Sequence, residues 1–223
     1  MLDFDQDGLM DLYFVSNQKE NKLYRNAGDW GFEDMTSAAG VAAVGGLKSG
    51  VTIADVNADG YPDIYLARTG LQRSKGPQPK RKNELFVNQK SGTFKEEAGR
   101  YGLDSDRATN HANFFDYDGD GDPDLVVNGA EVSPTLFSGR AYIFRNDNGS
   151  MTSIGAERDL AQVGFGDAVW LDYDLDGDLD VLLTGVSEPF GERVATVYRN
   201  EDNVRFAEEF KISGVLFAGI AVG

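Results

Sequence analysis

The sequence contains no cysteine. This excludes disulfides, thiol nucleophiles and cysteine-ligated zinc. Histidine is nearly missing too, His111 being the only one, which leaves little material for imidazole acid–base chemistry. No apolar run approaches the roughly 20 residues that span a bilayer. No signal-peptide pattern opens the chain either, since Met1-Leu2 leads straight into aspartates. Positive charge is scarce: 21 Lys and Arg face 37 Asp and Glu, for a formal net charge of −16. That balance argues against nucleic acid and anionic membrane surfaces as partners of the chain as a whole.

What remains can build a core. Of 223 residues, 41% are apolar, including 14 Phe and 9 Tyr, and the 26% charged fraction is ordinary for a globular chain. The acid is unevenly spread. Four stretches, DFDQDGLMDLYF (3–14), DVNADGYPDIYL (55–66), DYDGDGDPDLVV (116–127) and DYDLDGDLDVLL (172–183), hold 17 aspartates between them, so without them the chain would be about neutral. Carboxylates crowded this closely resist ionisation unless something offsets their charge.

The stretches recur at separations of 52, 61 and 56 residues, and each passes directly into a short apolar run. A second unit follows in every copy: LYRNAGDWGFEDMT from Leu23, LFVNQKSGTFKEEA from Leu85, IFRNDNGSMTSIGA from Ile143 and VYRNEDNVRFAEEF from Val197. Each runs from an apolar-aromatic pair to an asparagine (Asn26, Asn88, Asn146, Asn200). Three continue to a phenylalanine (Phe32, Phe94, Phe206), while the third has Met151. A strand-like segment with small residues precedes each later loop: GVTIA, HANFF and DAVWL. Enrichment in Val, Ile, Phe, Tyr and Thr with Gly, Asn and Asp punctuation reads as strands, four per repeat, with no helical period.

The fold class predicted is all-β, a β-propeller of four-stranded antiparallel blades. Residues 1–223 read as a single propeller region with repeats starting near 3, 55, 116 and 172. Residues 214–223 would begin or complete a further blade. The first inner strand is nearly missing and Val222-Gly223 align with its end, so the chain reads as a window on a larger array. A closed four-bladed ring is the alternative.

Alternate side chains on a tight turn suit a hard cation such as Ca²⁺, which takes six to eight oxygens. The candidate ligands are Asp3, Asp5, Asp7 and Asp11; Asp55, Asn57, Asp59 and Asp63; Asp116, Asp118, Asp120 and Asp124; and Asp172, Asp174, Asp176 and Asp180. Backbone carbonyls at Leu9, Tyr61, Asp122 and Asp178 would complete up to four Ca²⁺ sites. Asn57 offers oxygen without charge, so the second site is expected to be weaker. An EF-hand is excluded because its twelfth position needs Glu, and here that position holds Phe14, Leu66, Val127 and Leu183. Mg²⁺ is less suited because of its strict octahedral demand.

D-x-[DN]-x-D-G-x-x-D followed by an aliphatic strand resembles the calcium loop of FG-GAP/VCBS repeats, as in the integrin α-subunit propeller. The second units resemble ASPIC/UnbV-type, cartilage-acidic-protein-like repeat regions. The resemblance covers essentially the whole chain. It implies a propeller of about seven blades, extracellular or at the cell surface, bound to calcium and serving adhesion or scaffolding more than catalysis. Two departures stand out: the FG-GAP signature is reduced to Val163-Gly164-Phe165-Gly166, and the fourth unit's NEDNVRF lacks a glycine turn.

Little other chemistry is legible. His111 lies on an inner strand, where it could touch a channel ligand or satisfy a local hydrogen bond. No triad, paired-acid or phosphate-loop pattern stands apart from the repeats, so the chain is not expected to be an enzyme. The loop from Gln72 to Glu84 carries Arg73, Lys75, Lys80, Arg81 and Lys82. It reads as a solvated turn, or as a contact for an acidic glycan or for the acidic face of another copy. Asn148-Gly149-Ser150 is a formal glycosylation sequon. The expected partners are a protein or glycan ligand at the extracellular surface, or other copies meeting at open strand edges. The alternatives are a lectin-like carbohydrate binder with sites between blades, and a lyase- or hydrolase-type propeller enzyme.

Overall fold

The computed structural model describes residues 1–69, 82–132, 137–154, 160–187, 191–203 and 205–214, without the side chains of 131, 132, 137 and 138. Most of the basic loop and the C-terminal residues 215–223 lie outside the described residues.

The fold is all-β, in four consecutive antiparallel sheets. The first holds β1 (Leu12–Phe14), β2 (Lys22–Asn26) and β3 (Phe32–Asp34). After a single helical turn, α1 (Thr36–Ala39), the second holds β4 (Leu47–Ala54), β5 (Asp63–Thr69), β6 (Glu84–Asn88) and β7 (Phe94–Glu96). The third holds β8 (Thr109–Phe115), β9 (Asp124–Val132), β10 (Phe137–Asp147) and β11 (Ser150–Ser153). The fourth holds β12 (Ala168–Leu171), β13 (Asp180–Val186), β14 (Arg193–Glu201) and β15 (Arg205–Ser213). Within each sheet the strands pair in chain order. These are propeller blades, each a meander joined by tight turns. In the first blade the inner strand is represented by Leu2, which forms a bridge with Asp11.

The expected four strands are thus present in the last three repeats, and the first has three with the Leu2 bridge; several strands are longer than the short apolar runs suggested. Helix α1 was not foreseen: four residues are too few to show a helical period, and Gly40 ends the turn at φ 78°. The missing glycine in the fourth hairpin has a simple substitute, because Asp202 and Asn203 adopt φ 55° and 58°, conformations Asn and Asp tolerate best after glycine. Gly166 of the reduced FG-GAP signature is needed for close approach, since a Cβ there would lie 1.9 Å from the Thr184 carbonyl oxygen.

The apolar core is divided among the interfaces between blades. Leu2, Phe4, Leu23, Ile64 and Leu66 pack between the first and second. Tyr65, Leu85, Phe114, Leu125 and Val127 pack between the second and third. Tyr117, Val126, Ile143, Trp170 and Leu183 pack between the third and fourth. Strand alternation explains the partition: on β5, Ile64 and Leu66 face one neighbour while Tyr65 and Ala67 face the other. Middle strands covered on both faces therefore read as continuous apolar runs. One buried ion pair, Arg68 with Glu84, sits in the same layer, and Arg68 Nε donates to Glu84 Oε2 at 3.1 Å.

Trp170 shows how the interfaces are held. Its ring stacks on Tyr117 at 5.4 Å and 6°, with Phe206 tilted against both. It is buried, yet its Nε1–H has no acceptor among the described residues. Trp170→Ala should cost about 3–5 kcal/mol in urea unfolding through loss of the packed ring. Trp170→Phe should cost far less, because it keeps an aromatic ring and removes an unsatisfied donor. Equal losses for the two variants would contradict this packing.

Candidate metal centres

Each aspartate loop connects the inner strand of a blade to its second strand, and all four share one backbone course. The fourth residue is left-handed in every copy: Gln6 (φ 59°), Ala58 (53°), Gly119 (73°) and Leu175 (62°). The sixth is a glycine at φ 85–97°: Gly8, Gly60, Gly121 and Gly177. A Cβ at Gly121 would meet nothing within 4 Å, so the demand there is torsional and not steric.

The ninth residue is the best ordered by its partners. Asp11, Asp63, Asp124 and Asp180 are at most 1% exposed. In each, Oδ2 accepts the N–H of the loop's second residue, from Phe4, Val56, Tyr117 or Tyr173, at 3.0 Å. Oδ1 accepts the N–H of the blade's asparagine, from Asn26, Asn88, Asn146 or Asn200, at 2.7–2.8 Å. Burial pushes Asp63 and Asp124 up to about 7 against the pull of these donors, with neighbouring acids adding to the rise. Asp11 and Asp180 are raised for the same reason.

The asparagines carry more than their N–H. Asn88 Nδ2 donates to Phe4 O (2.8 Å) and Asn146 Nδ2 to Val56 O (3.0 Å), each in the preceding blade's loop. In the fourth blade Asn200 does this through Asn203, whose Nδ2 reaches Asp118 O at 3.2 Å. The recurrence of asparagine was visible in the sequence. Its role was not, because the partner lies 84 to 90 residues away.

Three loops gather acids. Carboxylate oxygens of Asp3, Asp5 and Asp11, of Asp116, Asp118 and Asp124, and of Asp172, Asp174 and Asp180 lie within 4.8 Å of one another in each set. Within them Asp3 Oδ1, Asp5 Oδ1, Asp118 Oδ1 and Asp172 Oδ1 are buried and have no hydrogen-bond partner among the described residues. The turn uses Asp3 Oδ2, which accepts Gly8 N–H at 3.0 Å, and both oxygens of Asp116, Oδ2 from Gly121 N at 2.9 Å and Oδ1 from Gly119 N at 2.8 Å.

The fifth-position acids are not gathered with these sets. Asp7, Asp59, Asp120 and Asp176 each accept the N–H two residues on, at 2.9–3.0 Å, and so brace the turn. At the seventh position, Asp122 turns its carboxylate to Asn148 N, at 2.6 Å. The second loop forms no three-acid set among the described residues. Asn57 Nδ2 donates to Asp59 Oδ2 at 3.2 Å, and Lys90 Nζ stands 3.5 Å from the same oxygen.

A family model for the FG-GAP-like repeat matches residues 3–66 and 76–127, more than half of the chain. The chain belongs to the FG-GAP-like repeat family. A comparison with curated proteins returns no match. The matched segments include the first three loops. The fourth shows the same clamp by geometry, so the FG-GAP-like architecture continues through it.

His111 Nδ1 lies 2.5 Å from Asp167 Oδ1, across the third and fourth blades. The two positions are equivalent in consecutive repeats, and the pair is close without meeting hydrogen-bond geometry at Nδ1. Asp167 is buried and also accepts Ala168 N–H at 2.8 Å.

Two outcomes follow. In chelator, Asp124→Ala should cost on the order of 3 kcal/mol in urea unfolding, because it strands two buried N–H groups. Asp120→Ala, at an exposed turn, should cost well under 1 kcal/mol. Equal losses would refute the clamp. The pH trend has a definite sign: the folded carboxyls hold their protons more tightly than unfolded ones, so their contribution is present at low pH and lost as pH rises through about 7. Melts in chelator should therefore rise in midpoint from pH 8 to pH 6, and a fall would contradict the burial.

Proposed function

We propose that this FG-GAP-like chain is a calcium-binding β-propeller module that works outside the cell as an adhesion, ligand-binding or structural scaffold, without catalysis of its own. The observation that carries the proposal is the set of buried carboxylate oxygens, without a hydrogen-bond partner among the described residues, in three loops of the same register. A cluster of ionised oxygens with no donor is unfavourable unless a cation sits among them.

The donors are all oxygen, which suits Ca²⁺ and disfavours softer metals. In the first loop Asp3, Asp5 and Asp11 would hold the ion, with the Leu9 carbonyl and water completing the shell. Asp116, Asp118, Asp124 and the Asp122 carbonyl would do so in the third, and Asp172, Asp174, Asp180 and the Asp178 carbonyl in the fourth. The fifth-position acids would supply charge and brace the turn. The second loop, through Asp55, Asn57, Asp63 and the Tyr61 carbonyl, would bind most weakly, since Asn57 lowers its charge and Lys90 already stands beside Asp59.

FG-GAP-like repeats are typical of extracellular proteins, and extracellular calcium modules work at roughly 10⁻⁴–10⁻³ M. No helix among the described residues is long and apolar enough to cross a membrane. The second units' likeness to ASPIC/UnbV-type proteins supports the same setting.

Thermal melts in millimolar Ca²⁺, in millimolar Mg²⁺ and in chelator test this reading. At about ten times Kd each filled site adds about 1.4 kcal/mol, so three sites should raise the midpoint by on the order of 10 °C. Mg²⁺ should give little, and Asn57→Asp should add to the calcium response alone. Identical midpoints in calcium and chelator would overturn the proposal.

A further inference from the structure

We propose that the crevice between the second and third blades is a binding site for a small organic carboxylate, a ligand separate from the calcium of the loops. The crevice has a volume of about 320 Å³, near the lower end of small-molecule sites. Its lining includes Tyr65, Leu103, Arg107, Arg140, Tyr142 and Phe144.

Its polar end is unusual for so acidic a chain. Arg107 Nη1 and Arg140 Nη1 both donate to the hydroxyl oxygen of Tyr142, at 2.9 and 3.0 Å. A phenol has two lone pairs and one proton. With both lone pairs engaged, the Tyr142 proton is left to donate, and no acceptor takes it among the described residues. Neither arginine has an acid partner among the described residues. Six others do: Arg25, Arg68, Arg100, Arg145, Arg199 and Arg205. Arg140 Nε is also shut off from solvent, without an acceptor among the described residues.

Two guanidinium groups that share a neutral oxygen repel each other, and the buried Arg140 Nε–H, with no acceptor among the described residues, is costly. One carboxylate answers both conditions. Its two oxygens match the planar guanidinium fork, and they accept the Tyr142 proton as well. The rest of the crevice selects for a carbon body. Leu103, Val127 and Phe144 are apolar walls. The polar end of Tyr65 is already engaged, by Asn83 Nδ2 at 2.8 Å and Leu103 O at 3.4 Å. A bare inorganic anion would leave those walls uncovered, and an extended acidic surface would not enter a space of this size.

The test is calorimetric titration of the calcium-loaded chain with benzoate and with glucuronate, beside benzyl alcohol and glucose as their neutral counterparts, and with inorganic phosphate. At least one acid should bind saturably, at least tenfold tighter than its neutral counterpart and than phosphate. The winner identifies the source, aromatic acid or sugar acid. Arg140→Gln and Tyr142→Phe should each weaken it severalfold. Arg107→Gln, at an exposed side chain, should do the same with an unchanged melting temperature and calcium response, which covers the case in which Arg140→Gln fails to fold. The proposal is overturned if neither acid saturates, if a neutral counterpart or phosphate binds as tightly, or if Arg107→Gln binds the acid like the parent. Loss of the calcium response with acid binding intact would sink the calcium reading alone.

Discussion

Each blade depends on one buried carboxylate. Asp11, Asp63, Asp124 and Asp180 sit where a loop becomes a strand, and each receives two main-chain N–H groups from different parts of its repeat. One bond fixes the start of the loop and the other fixes the third strand of the blade. A carboxylate so placed is expensive to bury, as the upward shift of Asp63 and Asp124 records. It is tolerated because an apolar residue there would leave two buried N–H groups without acceptors, and backbone groups must be paired. In three of the loops, carboxylate oxygens of the first and third positions then lie within 4.8 Å of one of the clamp's own.

The clamp also joins blades. The second residue of each of the first three loops gives its N–H to the clamp and its side chain to the interface with the next blade, as Phe4, Val56 and Tyr117 do. Its carbonyl is taken by the next blade's asparagine in two of the three cases. Three parts of one residue are thus committed to three neighbours. This is why blades with little interior of their own stack into one body.

The repeat, the strands and the register of the acids were legible because they are carried by residue type and spacing. The division of labour among the aspartates was not. Asp118, Asp120 and Asp124 are the same letter, yet the first offers a free oxygen, the second braces a turn and the third closes the blade. Only the burial of the ninth distinguishes it, and burial depends on a neighbouring blade. The asparagines failed to declare themselves for a related reason: their side-chain partners are distant in sequence and close in space. The phenylalanine pattern was half informative, for Phe94 and Phe206 are buried between blades while Phe32 is 44% exposed. The arginine pair at Tyr142 left no pattern at all, since Arg107 comes from a loop and Arg140 and Tyr142 from β10, 35 residues apart along the chain.

The two proposed sites share a mechanical origin. The crevice walls include Tyr65 and Val127, on β5 and β9, two and three residues beyond the clamps Asp63 and Asp124. A cation held by Asp116, Asp118 and Asp124 draws on the carboxylate that already fixes Tyr117 and Asn146. Asn146 in turn holds the second loop through Val56. An ion in the third loop, as proposed, would therefore favour the strand arrangement on which the crevice is built, without touching a ligand in the crevice. Coupling of this kind needs only that both sites prefer the same packing of the second and third blades. The two proposals thus draw on one packing: the carboxylates gathered in the third loop hang from the clamp that fixes it, and Arg107 and Arg140, which have no acid partner among the described residues, meet at Tyr142 in the same interface.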